Sequence, residues 1–423
     1  MADSLSIFAE GTFEEQVQEL VRYLARPESE ESRAAFIRPF QDVLNATEDE
    51  TPLSEDENKR KKTLKLVLAE IKGLGDGSDR EIEGFFNLVY CHLLALYPPD
   101  SPESTELVKS LVAAITASAL TEQTSIKYRI LSNLFNALPN RSTLRPCVYK
   151  SLLDLATENG ELEILQLKSS DMEKWLDEWD IAVDEKSEFI KCISDAFHKV
   201  GQNEISYTYL VLYARSISPN SPKAKPVALT VIATSLRLPS IFNFDPLLKI
   251  DSIRTAKDHQ IFHLLKILLN GGISEYQTWL ETNEAVLSEF ELDKTQLERK
   301  IRLLVLADLG SRNIGRDVPY SEIASALKIE VSQVEAWVID VIRTRLLSGR
   351  LSQPRQTLHI TRSTSRSFGR GEWETLERRL STWKYGLQGI LEVVAAARKS
   401  AAATSIPRPP VTDATRISQP QAA

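Results

Sequence analysis

Val331 to Leu347, reading VSQVEAWVIDVIRTRLL, is the stretch on which the fold of this chain turns. Ser332 stands three residues before Glu335, the spacing of a capping box, and predicts a helix start. Apolar residues then fall at Val334, Trp337, Val338, Val341, Ile342 and Leu346, one face of an amphipathic helix. Gly349 sits where a left-handed residue would end it. Just upstream, YSEIASALKIE reads as a shorter helix with Ile323, Ala324 and Leu327 on one side. Two helices at that spacing predict a helix-turn-helix. Downstream, RLSQPRQTLHITRS carries two short extended runs around Pro354, with Leu358 and Ile360 alternating against polar neighbours. Helix, helix, hairpin is the order of a winged helix.

Working back toward the N-terminus, the pattern is helical almost throughout. Thr12 with Glu15 repeats the capping-box spacing ahead of Val17, Leu20, Val21 and Leu24. Residues 45–60 are acidic, contain Pro52 and read as a loop. Apolar stripes at helical spacing follow through Leu64–Ile71, Ile82–Leu96, Leu107–Ile115, Ile126–Leu138 and onward to Val305. Such a series of short helices suggests stacked pairs, each burying one stripe against its neighbours. No strict repeat period is present, so the expectation is a degenerate right-handed solenoid with Trp175, Trp179 and Phe197 in its core. The fold class is therefore mainly α: a right-handed helical-repeat solenoid, a winged-helix module and a long C-terminal helix. The expected division is 1–120, an N-terminal helical region; 121–298, helical repeats; 299–371, the winged helix; 372–400, the final helix; and 401–423, a disordered tail rich in Ala, Pro, Ser and Thr.

Charge is unevenly placed along the 423 residues, whose net charge is −8. Residues 1–60 hold fifteen Asp/Glu against six Lys/Arg, whereas residues 341–400 hold twelve Lys/Arg against four Asp/Glu. The basic end could attract nucleic acid and the acidic end would repel it. Cys91, Cys147 and Cys192 are far apart and match no disulfide or zinc spacing, which points to a reducing compartment. No secretory signal is present and Leu111–Leu120 is too short and polar to span a bilayer, so the expectation is cytoplasmic, with no membrane partner.

No catalytic constellation emerges. His259 and His263 lie one helical turn apart, as in zinc proteases, but Gln260 stands where the general-base Glu belongs. Gly73-Leu74-Gly75-Asp76-Gly77 lacks the preceding strand and the following Lys-Ser/Thr of a phosphate loop and reads as a flexible connection. No cofactor, metal or small-molecule substrate is expected. Lys59-Arg60-Lys61-Lys62 reads as a solvated helix start. Around the winged helix lie Arg343, Arg345, Arg350, Arg355, Arg362, Arg366 and Arg370, of which Arg362, Arg366 and Arg370 are the candidate RNA phosphate contacts. After it, Trp373, Leu376, Leu380, Trp383, Leu387, Ile390, Leu391 and Val394 form a heptad-like seam with no partner helix left in the chain.

Helical repeats running into a winged helix and one terminal helix resemble the PCI-domain family, scaffold subunits of the proteasome lid, the signalosome and translation initiation factor 3. Within it, Leu131-Ser132-Asn133-Leu134-Phe135-Asn136, Trp175-Leu176-Asp177-Glu178-Trp179 and Phe242-Asn243-Phe244-Asp245-Pro246-Leu247-Leu248 are similar to the subunit M family of initiation factor 3. So are Val334-Glu335-Ala336-Trp337-Val338-Ile339-Asp340 with Arg343-Thr344, and Arg366-Ser367-Phe368-Gly369 before Trp373. The resemblance spans roughly residues 120–390 and places the PCI helical part from about 205. It implies a non-enzymatic scaffold that packs winged helices edge to edge and bundles C-terminal helices. Its implied partners are the other subunits of initiation factor 3 and the small ribosomal subunit, with mRNA or rRNA as further contacts. The resemblance further implies a part in recruiting mRNA and initiator tRNA. Leu358 and Ile360 on the wing and Leu380, Leu387 and Val394 on the terminal helix are the expected partner contacts. Two other readings remain at this point: a lid or signalosome scaffold, or a winged-helix regulator on DNA.

Overall fold

The structure, a computed structural model, describes residues 11–45, 56–99, 101–117, 124–367 and 369–404. The chain divides into two compact units, Met1–Leu303 and Leu304–Ala423.

Unit one is helical throughout its described residues. Helices pack on the next or next-but-one in sequence: Asp79–Leu96 on Thr124–Ala137, Thr124–Ala137 on Arg145–Asn159, Arg145–Asn159 on Val183–Lys199, and Val183–Lys199 on Asn203–Ser216. That near-neighbour order is the signature of a stacked repeat array. One apolar cluster runs from Val17 to Ala224. The expected start at Thr12 is present: its amide donates to the Glu15 carboxylate at 2.9 Å, and the Glu15 amide donates back to Thr12 Oγ1. Trp179 and Phe197 are buried and Trp175 is partly so. Phe135, Tyr149, Trp175, Trp179 and Phe189 meet largely edge to face, with centroids 5.2 to 6.4 Å apart.

Two local expectations change. The segment Gly73–Gly77 is a closed turn. The Tyr23 hydroxyl donates to Leu74 O at 2.8 Å, and Gly75, at φ +75°, lies so close under the Tyr23 ring that a Cβ there would sit 2.8 Å from a ring carbon. The glycine is required by both conformation and contact. Burial pushes the Tyr23 phenol up to about 12, so the hydroxyl remains a donor at any physiological pH. The polar stretch 45–60 also begins its helix earlier than expected: residues 46–55 lie outside the described part, but Asp56 caps Glu57–Ala69, its carboxylate accepting from Asn58 N at 3.0 Å.

Unit two is a winged helix followed by one long helix. Tyr320–Leu327 and Val334–Arg343 are its two helices, and a three-stranded antiparallel sheet has order β1 (Asp317–Pro319), β3 (Thr357–Ser363), β2 (Leu347–Ser352). The helix Val334–Arg343 is shorter than its apolar face suggests. A single 3-10 turn, Val331–Gln333, precedes it, and Ser332 Oγ turns back to Glu330 instead of forming the expected capping box. Arg345, at φ +59°, takes the left-handed position that Gly349 was expected to hold. Gly349 instead lies in β2 at a bulge, where a Cβ would meet His359 O at 2.5 Å. The terminal helix runs Arg370–Thr404, past the expected end at 400, while residues 405–423 of the expected disordered tail lie outside the described part. Among the described residues no helix is long and apolar enough to cross a membrane.

Candidate assembly surfaces

The winged helix closes around its own apolar stripe. Val334, Val338 and Val341 of the second helix are buried with Ile323 and Leu327 of the first and Leu347, Leu358 and Ile360 of the sheet. Backbone bonds tie the wing down: Gly315 N donates to Ile360 O at 2.8 Å and Tyr320 N to Gln356 O at 2.9 Å. His359 Nδ1 and Asp317 Oδ1, 2.6 Å apart, join β3 to β1 on the outer face.

This geometry corrects one expected contact pair. Leu358 and Ile360 are core residues, and β3 lies in the middle of the sheet with both edges paired, so neither can meet a partner. Alternation along β3 shows that one face is buried, but not which strand ends the sheet. The open edges belong to β1, three residues ending in Pro319, and to β2, which is twice as long and carries exposed Arg350.

It also corrects one arginine. Arg366 is buried, and its Nε donates to Leu304 O at 2.7 Å. Burial holds its guanidinium below the usual arginine range, with nearby Asp308 opposing that shift. It fastens the segment before the terminal helix to the helix Lys294–Arg312, and no phosphate can reach it. Ser363 Oγ makes a second tie to that helix, donating to Ala307 O at 2.7 Å. Arg362 is exposed, and Arg370 is exposed and paired with Glu374 one turn on, at 3.0 Å. Phe368, between them, lies outside the described residues.

The outer face of the second helix bears on the DNA reading. It presents Ala336, Trp337, Ile339, Asp340 and Arg343 around a shallow hollow, with Ile339 43% exposed. Its start carries exposed Gln333 and partly buried Glu335. A largely apolar face on which Glu335 and Asp340 outnumber Arg343 is unsuited to phosphate and base edges but suited to protein. Ile339 is a contact candidate that the sequence reading missed; its place opposite the Val334–Val338–Val341 stripe is the signal that marks it.

Among the described residues, the terminal helix carries most of the exposed large hydrophobic side chains. Leu380, Leu387 and Val394 are exposed along one seam with Trp373, Trp383 and Ile390. Exposed aliphatics at this density mark an interaction site. His259, by contrast, is used within the fold: its Nδ1 accepts from Ile261 N at 3.2 Å as a helix cap, and its ring stands edge-on to Phe290. No group of three His, Cys, Asp or Glu that could hold a metal occurs among the described residues.

Comparison with known families adds two matches. A family model described as PCI domain matches residues 280–362, and one described as eIF3 subunit M, C-terminal helix, matches residues 366–394. Among curated proteins, the eukaryotic translation initiation factor 3 subunit M of Phaeosphaeria nodorum is 30% identical over 93% of this chain and 89% of its own length. That of Dictyostelium discoideum is 30% identical over 75% of this chain and 79% of its own. That of Aspergillus terreus is 29% identical over 94% and 88%.

Proposed function

The chain belongs to the family of eukaryotic translation initiation factor 3 subunit M, and we propose that its part in that multisubunit complex is structural and non-enzymatic. The observation that carries this reading is the seam of the terminal helix. It spans about three heptads of apolar side chains, all open to solvent in the chain alone. A helix of that kind is completed by helices of other chains. The winged helix adds a second surface, the open edge of β2 with the exposed Leu351, where a strand of a neighbouring subunit can pair by β-augmentation. Through these two surfaces the chain helps to form a cytoplasmic scaffold on the small ribosomal subunit that promotes recruitment of mRNA and initiator tRNA. The largely apolar outer face of Val334–Arg343 speaks against the DNA-regulator reading. The match of residues 366–394 to a helix specific to subunit M separates this chain from the lid and signalosome branches. Within unit one we propose that the PCI helical part begins near residue 205 and that residues up to 120 form a distinct N-terminal helical region.

Affinity purification of the chain with mass spectrometry of its companions tests this reading. Initiation-factor subunits and small-subunit ribosomal proteins are expected; lid or signalosome subunits in their place would overturn it. For RNA, Arg362 and Arg370 are the contacts retained. Substituting both by Gln is expected to lower any RNA crosslinking of the complex by several-fold at low salt, with the stability of the winged helix unchanged. Crosslinking at the native level would return both arginines to a solvated face.

A further inference from the structure

Ser-Pro occurs three times in the chain, as Ser101-Pro102, Ser218-Pro219 and Ser221-Pro222, and the fold treats the three serines differently. Ser101 Oγ accepts from Ser104 N at 3.1 Å, at the start of the helix Pro102–Ala117. Ser221 is half-buried, and its Oγ accepts from Lys223 N at 3.3 Å. Ser218 is exposed, and its hydroxyl has no hydrogen-bond partner among the described residues.

The backbone around Ser218 suits an enzyme cleft that reads extended chain. The helix Asn203–Ser216 ends just before it, and Ile217 leaves that helix extended, at φ −84° and ψ 130°. A residue before proline is itself held extended. Pro219 brings no N–H that a cleft would have to satisfy. One backbone bond, Ser221 N donating to Ser218 O at 3.0 Å, closes the turn that follows, so little structure has to open.

Charge separates the two serines of this loop. Ser218 borders an open hollow of about 490 Å³ whose lining includes Arg215, Pro219, Lys249 and Asp251. Arg215 is exposed and forms no ion pair among the described residues. Lys249 reaches Asp245 at 2.7 Å, and Asp251 is engaged by Arg254 at 3.3 Å. Ser218 and Ser221 share a second, smaller hollow with Asp184 and Glu188, the latter 3.3 Å from Lys223 Nζ. A phosphate on Ser221 stands against those two carboxylates. A phosphate on Ser218 has the wider hollow and its two cations. The carbonyl end of Asn203–Ser216 works against it, but a whole guanidinium charge exceeds the half charge of a helix end.

We propose that Ser218 is a phosphorylation site for a proline-directed protein kinase, and that its phosphate is held by Arg215 and Lys249. Ser218 Oγ forms a bond to the γ-phosphorus of ATP as the bond from that phosphorus to the β–γ bridging oxygen breaks. The hydroxyl proton passes to the base of the kinase, and ADP leaves with the electron pair. The charge added, about −2 at neutral pH, joins the end of Asn203–Ser216 to the segment carrying Lys249. The two are already neighbours, since Ser252 Oγ donates to Ala214 O at 2.5 Å.

The full chain, affinity-purified with its complex from growing cells while phosphatases are inhibited, is expected to carry phosphate at Ser218 and none at Ser101 or Ser221 in peptide mass spectra. Ser218→Ala is expected to remove it. The purified chain, treated with a cyclin-dependent kinase and ATP, is expected to take up phosphate at the same serine. By phosphorus NMR, the titration midpoint of that phosphate is expected to lie about half a unit lower than in Arg215→Gln with Lys249→Gln, because two cations favour the dianion. Absence of phosphate from Ser218 in either preparation, or phosphate at Ser221 in its place, would overturn the site. An equal midpoint in the double variant would overturn the seat on Arg215 and Lys249.

Discussion

Leu380→Asp, Leu387→Asp and Val394→Asp together are expected to release the chain from its complex while leaving its own fold intact. The three side chains are 51%, 42% and 45% exposed, so no internal core depends on them. Within the isolated chain the change exchanges exposed aliphatic groups for exposed carboxylates on a 35-residue helix, and each substitution costs a few tenths of a kcal/mol in propensity. On the proposed reading the same positions face apolar helices in the complex, where each aliphatic side chain contributes about 1.5–3 kcal/mol by burial and each carboxylate must be desolvated without a partner. The sum is on the order of 5 kcal/mol or more, a loss in affinity of roughly 10³–10⁴-fold. Co-purification should therefore disappear, while the circular dichroism and the thermal transitions of the free chain stay near native. Retention of the variant in the complex would remove the terminal helix from the assembly surface.

The terminal helix was legible because its signal is periodic and local: apolar residues alternating by three and four along one face. The repeat helices were legible for the same reason, and Thr12–Glu15 shows that a capping box can be read at sight when a helix begins where its stripe begins. Ser332–Glu335 has the same spacing and does not cap, because a 3-10 turn comes between the cap residue and the helix. What decides there is how the turn packs, which spacing does not encode. The wing failed differently. Leu358 and Ile360 were rightly seen as one face of a strand, but their availability depends on strand order. That order is set by β1, a three-residue strand too short to carry a period. Arg366 marks the limit of charge counting. A guanidinium one residue beyond Ser365 looks like its exposed neighbours Arg362 and Arg370, and it is a donation to the carbonyl of Leu304, sixty-two residues away, that ties it into the core.

Lys300 gives unit one a pH dependence that charge counts on the sequence would not suggest. It lies on Lys294–Arg312, is 2% exposed, and donates to Ser235 O at 2.8 Å and Leu236 O at 2.9 Å, in the last turn of Ala224–Arg237. The Phe244 ring centroid is 5.6 Å from its Nζ. The carbonyls, the ring and the negative end of the helix favour the ammonium. Burial works against it more strongly and pushes the pKa down from 10.5 to about 7. Between those two values the unfolded chain binds a proton that the folded chain has released, so stability rises with pH through that window and levels off on either side. The slope approaches about 1.4 kcal/mol per pH unit. Lys300→Met fills the volume without titrating. Its effect on the unpaired carbonyls is the same at every pH, and so drops out of a comparison between two pH values. From pH 7.5 to 9.5 the stability of the native chain, measured by denaturant unfolding relative to Lys300→Met, is therefore expected to rise by about 2–3 kcal/mol. A difference that stays flat would mean that the helix end and the ring offset burial completely and that Lys300 carries its charge through folding at an ordinary pKa.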